Sequence, residues 1–200
     1  MVWPDPVTLS GPHARLEALA MAHHDALCEA TRDGELWRLW YTAVPSPAGM
    51  AAEIQRRLAL QATGSMLPLT VFDTSSPGQG RVVGMTTYMN IDAANKRVEI
   101  GSTWTARSAQ RSPLNTQCNR LLLAHAFEQL DCIAVEFRTH RLNTQSRRAI
   151  ERLGAQQDGI LRAHSRAGDG SVRDTAVYSI TAPEWPAVKS HLDWQLVKPR

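Results

Sequence analysis

Residues Ile133–Ala155 read IAVEFRTHRLNTQSRRAIERLGA, and this stretch decides the fold. Ile133, Val135 and Phe137 alternate with Ala134, Glu136 and Arg138, the period-two pattern of a half-buried strand. Ser146, Ala149, Ile150 and Leu153 then recur at i, i+3, i+4 and i+7, which lines one face of a helix. Arg147, Arg148, Glu151 and Arg152 take the opposite face. Asn143 is the natural N-cap, and Gly154 ends the helix as a C′ glycine does. A strand after Ala155, a turn at Asp169-Gly170, the pair Arg173-Asp174 and a last strand over Thr175–Ile180 complete the unit.

Upstream, Ser112–Leu130 is the longest helical segment; Leu114, Leu121, Leu122, Leu123, Ala126, Phe127 and Leu130 make it apolar nearly all round, which predicts burial against a sheet. Arg81–Ile91 and Lys96–Thr105 read as two strands joined by Asp92–Asn95 in a hairpin or meander. Leu69–Phe72 is another strand, and Ser75–Gly80 is a turn by composition. Met50–Ala62 is a helix with Ile54 and Leu58 in its stripe and Arg56 and Arg57 outside. Ala14–Leu19 is a first strand, and the helix from about Ala22 to Ala30 is broken by Arg32-Asp33-Gly34. Glu184–Leu196 closes the chain as a helix or turn. Residues 1–9 are expected as a flexible Pro-rich arm, 10–196 as one domain and 197–200 as a tail. The fold class is α/β (α+β), built on one central sheet.

Composition sets bounds. With 200 residues, 43% of them hydrophobic, one globular domain can bury its own core. The net charge of +3 suits an anionic partner such as a nucleotide cofactor or RNA, and equally a solvated surface with a slight cationic excess. No strand interleaves basic and aromatic residues, which argues against a nucleic-acid partner. Cys28, Cys118 and Cys132 form no CxxC, so they read as buried thiols of a reducing compartment. His23-His24-Asp25 lacks a third ligand at suitable spacing, so no metal is implied. Residues 1–6 lack a cationic start and an apolar core, and the longest apolar run, Leu121–Phe127, is too short to span a bilayer. A soluble cytoplasmic protein is expected.

The order of motifs after Ile133 resembles the C-terminal half of the GNAT superfamily of N-acetyltransferases, most closely its ribosomal-protein N-terminal acetyltransferase (RimJ/RimL-like) branch. The resemblance runs from about Pro12 to Trp194. It implies one domain with a central mixed, mostly antiparallel sheet flanked by helices. It also implies acetyl transfer from acetyl-CoA to a primary amine by direct attack in a ternary complex. The acceptor would be a protein N-terminal α-amine or a small-molecule amine. A non-catalytic acyl-CoA-binding regulator with the same fold is the alternative, and a homodimer is left open.

The resemblance also implies a site. The cofactor pyrophosphate would rest on the loop at Gln110-Arg111-Ser112-Pro113-Leu114-Asn115-Thr116. Gln110 matches the first position of the family's Arg/Gln-x-x-Gly-x-Gly/Ala pattern, whereas Pro113 and Asn115 stand where small residues are usual. Ser112 can cap the helix and Pro113 forfeits only an orphan donor, which leaves the N–H groups of Leu114, Asn115 and Thr116 for an anion. A capped core helix without a ligand is the alternative. Asn143 would contact the pantetheine arm, and Ser146 would lie near the sulfur. Glu99, in Val98-Glu99-Ile100-Gly101, would be the base that deprotonates the amine, or else a strand carboxylate paired with Arg97 or Arg81. Backbone N–H groups around Trp104 and Thr105 would hold the oxyanion. The Tyr that often follows the Asn in this superfamily is missing, so Ser146 becomes the candidate acid, with Tyr178 a further one. Trp37 and Tyr41 would wall the acceptor pocket or belong to the core.

Overall fold

The computed structural model describes residues 3–76, 78, 80–167 and 169–198. Residues 1–2 of the expected arm, 77 and 79 of the expected turn and 199–200 of the expected tail lie outside the described residues. Eight strands form one sheet: β1 (Leu9–Ser10), β2 (Ala14–Ala18), β3 (Met66–Asp73), β4 (Arg81–Asp92), β5 (Arg97–Thr105), β6 (Ala134–His140), β7 (Gln156–Arg166) and β8 (Val172–Thr181). Their spatial order is β1-β2-β3-β4-β5-β6-β8-β7. Among the described residues five α-helices accompany them: α1 (His24–Arg32), α2 (Met50–Ala62), α3 (Leu114–Ala124), α4 (Thr144–Glu151) and α5 (Trp185–Val197). This is the mixed, mostly antiparallel sheet flanked by helices that the resemblance implies.

The local rules of the opening stretch operate as read. Val135 and Phe137 are buried on β6, and Asn143 caps α4 by accepting the Ser146 N–H at its Oδ1, 3.0 Å away. Gly154 follows the helix at φ +99°, a region that costs glycine nothing. Ile133 departs from the pattern. It precedes β6 and is 55% exposed, although its backbone N–H still bonds to Lys96 O and its carbonyl to the Ala182 N–H. The long expected helix spans α3 and then a π-helical turn at His125–Gln129. At the other end of the chain, Trp3 and Val7 of the expected arm pack against the core, and Lys96 Nζ sits 5.0 Å above the Trp3 ring.

Arg57 corrects a second expectation. The sequence pattern puts it with Arg56 on the outer face of α2, yet it is 1% exposed. Its Nε donates to Glu53 one turn back at 2.7 Å, its Nη1 to Thr87 Oγ1 at 2.6 Å and its Nη2 to Ser102 O at 3.3 Å. Three acceptors repay the desolvation that polarity alone predicts the residue would avoid.

Among the described residues all strand pairings are antiparallel except β5–β6, and that exception shapes the sheet. β5 and β6 pair in parallel only at Arg97–Ala134, Val98–Val135 and Glu99–Glu136. Beyond Glu99 they part, and the sheet forks.

Hydrogen bonds identify the layers on either side of the sheet. Tyr88, opposite Ile100, donates its hydroxyl to Leu122 O of α3 at 2.6 Å; Tyr178, opposite Phe137, donates to Glu151 of α4 at 2.8 Å. Thr87, opposite Gly101, receives Arg57 of α2. Side chains alternate along a strand, so Val98, Ile100 and Phe137 face α3 and α4, whereas Glu99 and Gly101 face the α2 side.

Candidate active site

The fork opens into a cavity of about 950 Å³. It is walled by β5 and β6, the start of α4, the loop before α3, the segment 36–44 and residues of β7 and β8. Of the residues singled out in the sequence, Glu99, Trp104, Thr105, Gln110, Arg111, Ser112, Asn115, Asn143, Ser146 and Tyr41 all line it. Leu114, Thr116 and Trp37 do not. The side chains of Leu114 and Thr116 are buried on the core side of α3, so only their backbone could meet a ligand there. Trp37 gives its place to Leu36, Leu39 and Val44, while Trp40 packs edge-on against His140 with ring centroids 5.3 Å apart.

At one end lies the start of α3. Gln110 Nε2 donates to Thr105 O at 2.9 Å and ties the loop to the end of β5. Arg111 occupies the left-handed region at φ +58°. Ser112 Oγ donates to Ala109 O at 2.7 Å and accepts the Leu114 N–H at 3.2 Å. Leu114 is therefore not one of the free donors expected from the sequence. The first i→i−4 bond of the helix runs from Gln117 N–H to Pro113 O at 2.9 Å, so the N–H groups of Asn115 and Thr116 precede the ladder. Together with the helix dipole they suit an anion.

At the vertex of the fork lies Glu99, 4% exposed. Its Oε2 accepts from Asn90 Nδ2 at 2.6 Å and stands 3.5 Å from Arg138 Nε. Burial pushes its carboxyl above the ordinary carboxylate range, against the pull of Asn90 and Arg138. Neither Arg97 nor Arg81 is its partner: Arg97 pairs with Glu136, and Arg81 donates to Ser108 Oγ at 2.9 Å. Asn90 itself sits at φ +46°, in a left-handed kink of β4 that Asn tolerates. Sequence reasoning missed Asn90 because a polar residue within a strand pattern reads as solvent-facing. It missed Arg57, which reaches Ser102 O beside the cavity, for the reason given above.

The other candidates differ in their commitments. The Ser146 hydroxyl makes no hydrogen bond among the described residues, whereas Tyr178 is fully occupied by Arg147 Nε and Glu151 and lies outside the cavity lining. His140 lines the cavity, accepts the Leu142 N–H at 3.0 Å and is held below the usual imidazole range by burial and by Arg173. The Trp104 indole N–H is buried without a partner. Among the described residues, no group of three or more His, Cys, Asp and Glu could hold a metal, and no helix is long and apolar enough to cross a membrane.

The sequence profile of the acetyltransferase (GNAT) domain matches residues 13–156, well over half of the chain. The chain belongs to the GNAT acetyltransferase family. Among solved structures, a candidate acetyltransferase from T. thermophilus is 33% identical, with a TM-score of 0.83 over 97% of this chain and 99% of that one. A GCN5-related N-acetyltransferase from Brucella melitensis is 31% identical, with a TM-score of 0.82 over 97% and 87%. RimJ of Mycobacterium smegmatis, solved in complex with CoA-disulfide, shares the fold at 23% identity and a TM-score of 0.77 over 96% and 95%. Among curated proteins, the chain is 31% identical over 110 residues to YdaF of Bacillus subtilis, a candidate ribosomal N-acetyltransferase. That match spans 55% of this chain and 59% of YdaF. The resemblance to the RimJ/RimL-like branch of the GNAT acetyltransferases therefore stands.

Proposed function

We propose that this GNAT acetyltransferase moves the acetyl group of acetyl-CoA directly to a primary amine, with Glu99 as the base. The observation that carries the proposal is a buried carboxylate at the vertex of the forked sheet, with a helix N-terminus on the far wall of the same cavity. The residues present suit CoA. Gln110, Ser112 and the N–H groups of Asn115 and Thr116 form the end that would take the pyrophosphate, with Arg111 beside them. Asn143 and Ser146 line the path that the pantetheine arm would follow to the fork.

When bound, acetyl-CoA supplies an activated thioester. The amine must be neutral to attack it. Glu99 takes the proton from the ammonium, and its raised carboxyl makes it a stronger base than an exposed glutamate. The amine nitrogen bonds to the carbonyl carbon, and the oxygen gains charge that backbone N–H groups of β5 near Trp104 and Thr105 can stabilise. Past Glu99 the β5 edge facing β6 has no strand partner among the described residues, which leaves such donors available. The C–S bond then breaks as the nitrogen gives up its second proton; that proton reaches the thiolate, and Ser146 is our choice to relay it, accepting one proton as it passes its own to the sulfur. Cavity and fork hold both reactants together, so no covalent enzyme intermediate is needed.

YdaF is named for a ribosomal acceptor, and RimL, which shares the fold at 18% identity, is named for the α-amine of L7/L12. These names favour a protein N-terminal α-amine; Tyr41 and the segment around it would wall that pocket. The test is release of free CoA thiol from acetyl-CoA in the presence of a panel of N-terminal peptides and small amines, with acetylated product identified by mass spectrometry. Turnover on at least one amine is expected. A protein that binds acetyl-CoA and turns over none of them would be a binder, not an enzyme.

A further inference from the structure

The face of the sheet that carries Glu99 is polar far beyond the reacting centre. Glu136 is opposite Glu99, and alternation places Arg138 and His140 on the same side of β6. Arg138 is opposite Val177 and His140 opposite Thr175 on β8, so Arg173, two residues before Thr175, shares that face too. Arg138, His140, Thr175 and Arg173 all line the cavity.

Most of these groups are committed. Arg138 donates to Glu136 Oε2 through Nε and Nη2, at 3.1 and 2.8 Å. His140 accepts the Leu142 N–H, and Thr175 Oγ1 meets His164 Nδ1 at 3.1 Å. Arg173 is different. Its Nε is buried without a partner, and its guanidinium makes no hydrogen bond or ion pair among the described residues. Glu99 and His140 feel its charge, but its donors stay unmet, and a half-buried guanidinium with unmet donors is a costly arrangement, of the kind native proteins keep where a ligand completes it. The anionic end of CoA is assigned to the start of α3, which packs on the opposite face of the sheet. We therefore assign the Arg173 side of the cavity to the acceptor.

Resting on the acetyl-transfer reading of this cavity, we infer that the acceptor amine carries a carboxylate and that Arg173 binds it. The amine would stand at Glu99 and the carboxylate at the guanidinium, whose planar fork matches it in two hydrogen bonds. The carboxylate could be the α-carboxylate of a free amino acid or the side chain of an acidic N-terminal peptide.

Two matched pairs distinguish these sources: leucine against leucinamide, and the C-terminally amidated tripeptides Ser-Asp-Leu against Ser-Asn-Leu. Each is titrated calorimetrically into the CoA-saturated protein and into the free protein, and each is assayed for acetylation. In at least one pair the carboxylate member should bind on the order of tenfold more tightly and show a correspondingly lower KM. Arg173→Gln should erase that difference through KM and leave CoA affinity unchanged, and Arg173→Lys should restore part of it. Equal binding within both pairs, no binding by any member, or equal weakening of both members by Arg173→Gln would overturn the inference. A carboxylate preference in binding without acetylation of any amine would instead strike the transfer proposal alone.

Discussion

Glu99→Gln isolates the chemistry from the architecture. The side chain is 4% exposed and its Oε2 accepts from Asn90 at 2.6 Å. The amide has nearly the same shape, and its oxygen can keep that bond. What it loses is the ability to take a proton. General-base catalysis contributes about 10²- to 10⁴-fold, equal to about 3 to 5 kcal/mol of activation free energy. We therefore expect kcat to fall by about that factor while the Kd for acetyl-CoA holds. The fold should not suffer. Burial raises the Glu99 carboxyl, so its contribution to stability is complete below the ordinary glutamate range and is lost as pH rises through the folded value. The uncharged amide carries no such loss. At neutral pH the variant should thus be at least as stable as the wild type, and the two thermal-melting curves should converge as pH falls to about 4. The assay is stopped-flow or steady-state CoA release against pH, paired with thermal melts. An unchanged kcat in a folded variant would refute the role of Glu99 as base.

Further outcomes follow from the same geometry. Glu53→Ala leaves the buried Arg57 guanidinium without its counter-charge and should cost about 3 kcal/mol in chemical denaturation. Burial raises the Glu53 carboxyl, but Arg56 and Arg57 outweigh it and hold it low; the stability it supplies is therefore present above the ordinary glutamate value and lost on acidification, and Glu53→Gln should flatten that acid limb. Asn143→Ala removes the α4 cap, which should cost about 1 kcal/mol in thermal melts and weaken acetyl-CoA binding in calorimetry. Gly84→Ala would place a Cβ 2.0 Å from Trp104 O, forcing β4 from β5 at a loss of about 1–3 kcal/mol, read from denaturation midpoints. Ser146→Ala should lower kcat on the order of tenfold with Tm and acetyl-CoA affinity unchanged, as expected of a proton donor rather than a structural group.

The elements were legible because each depends on local periodicity. Val135 and Phe137 alternate, Asn143 caps, and the sequence Asp92–Asn95 closes its hairpin with Asp92 accepting from the Asn95 side chain at 2.7 Å. The fork was not legible from the residues themselves. It arises because β6, some 30 residues downstream of β5, pairs with it over only three positions, and register across such a separation leaves no local mark. The cofactor loop was half read. The small-residue pattern led to Gln110, Ser112 and Asn115, all of which line the cavity, but not to the bond by which Ser112 Oγ takes up the Leu114 N–H, since the rotamer of a capping hydroxyl leaves no mark in the sequence. Arg57 and Asn90 illustrate the remaining gap. Polarity predicts exposure for both, and only their distant partners, Thr87 and Ser102 for one and Glu99 for the other, explain why they turn inward. Arg173 sits in a charged pair next to a turn, and nothing in Arg173-Asp174 marks one of the two as unpaired: Asp174 receives the Ala163 N–H and Arg141, while the Arg173 Nε–H meets no acceptor among the described residues.

The central claim is that the cavity at the sheet fork binds acetyl-CoA although Pro113 and Asn115 replace the usual small residues. Calorimetric titration of the purified protein with acetyl-CoA, with thermal melting in parallel, tests it most directly. Saturable one-to-one binding near micromolar Kd, on the order of −8 kcal/mol, with a raised Tm is expected. No heat and no shift in Tm at millimolar acetyl-CoA would contradict it, leaving a GNAT fold whose cofactor site is lost.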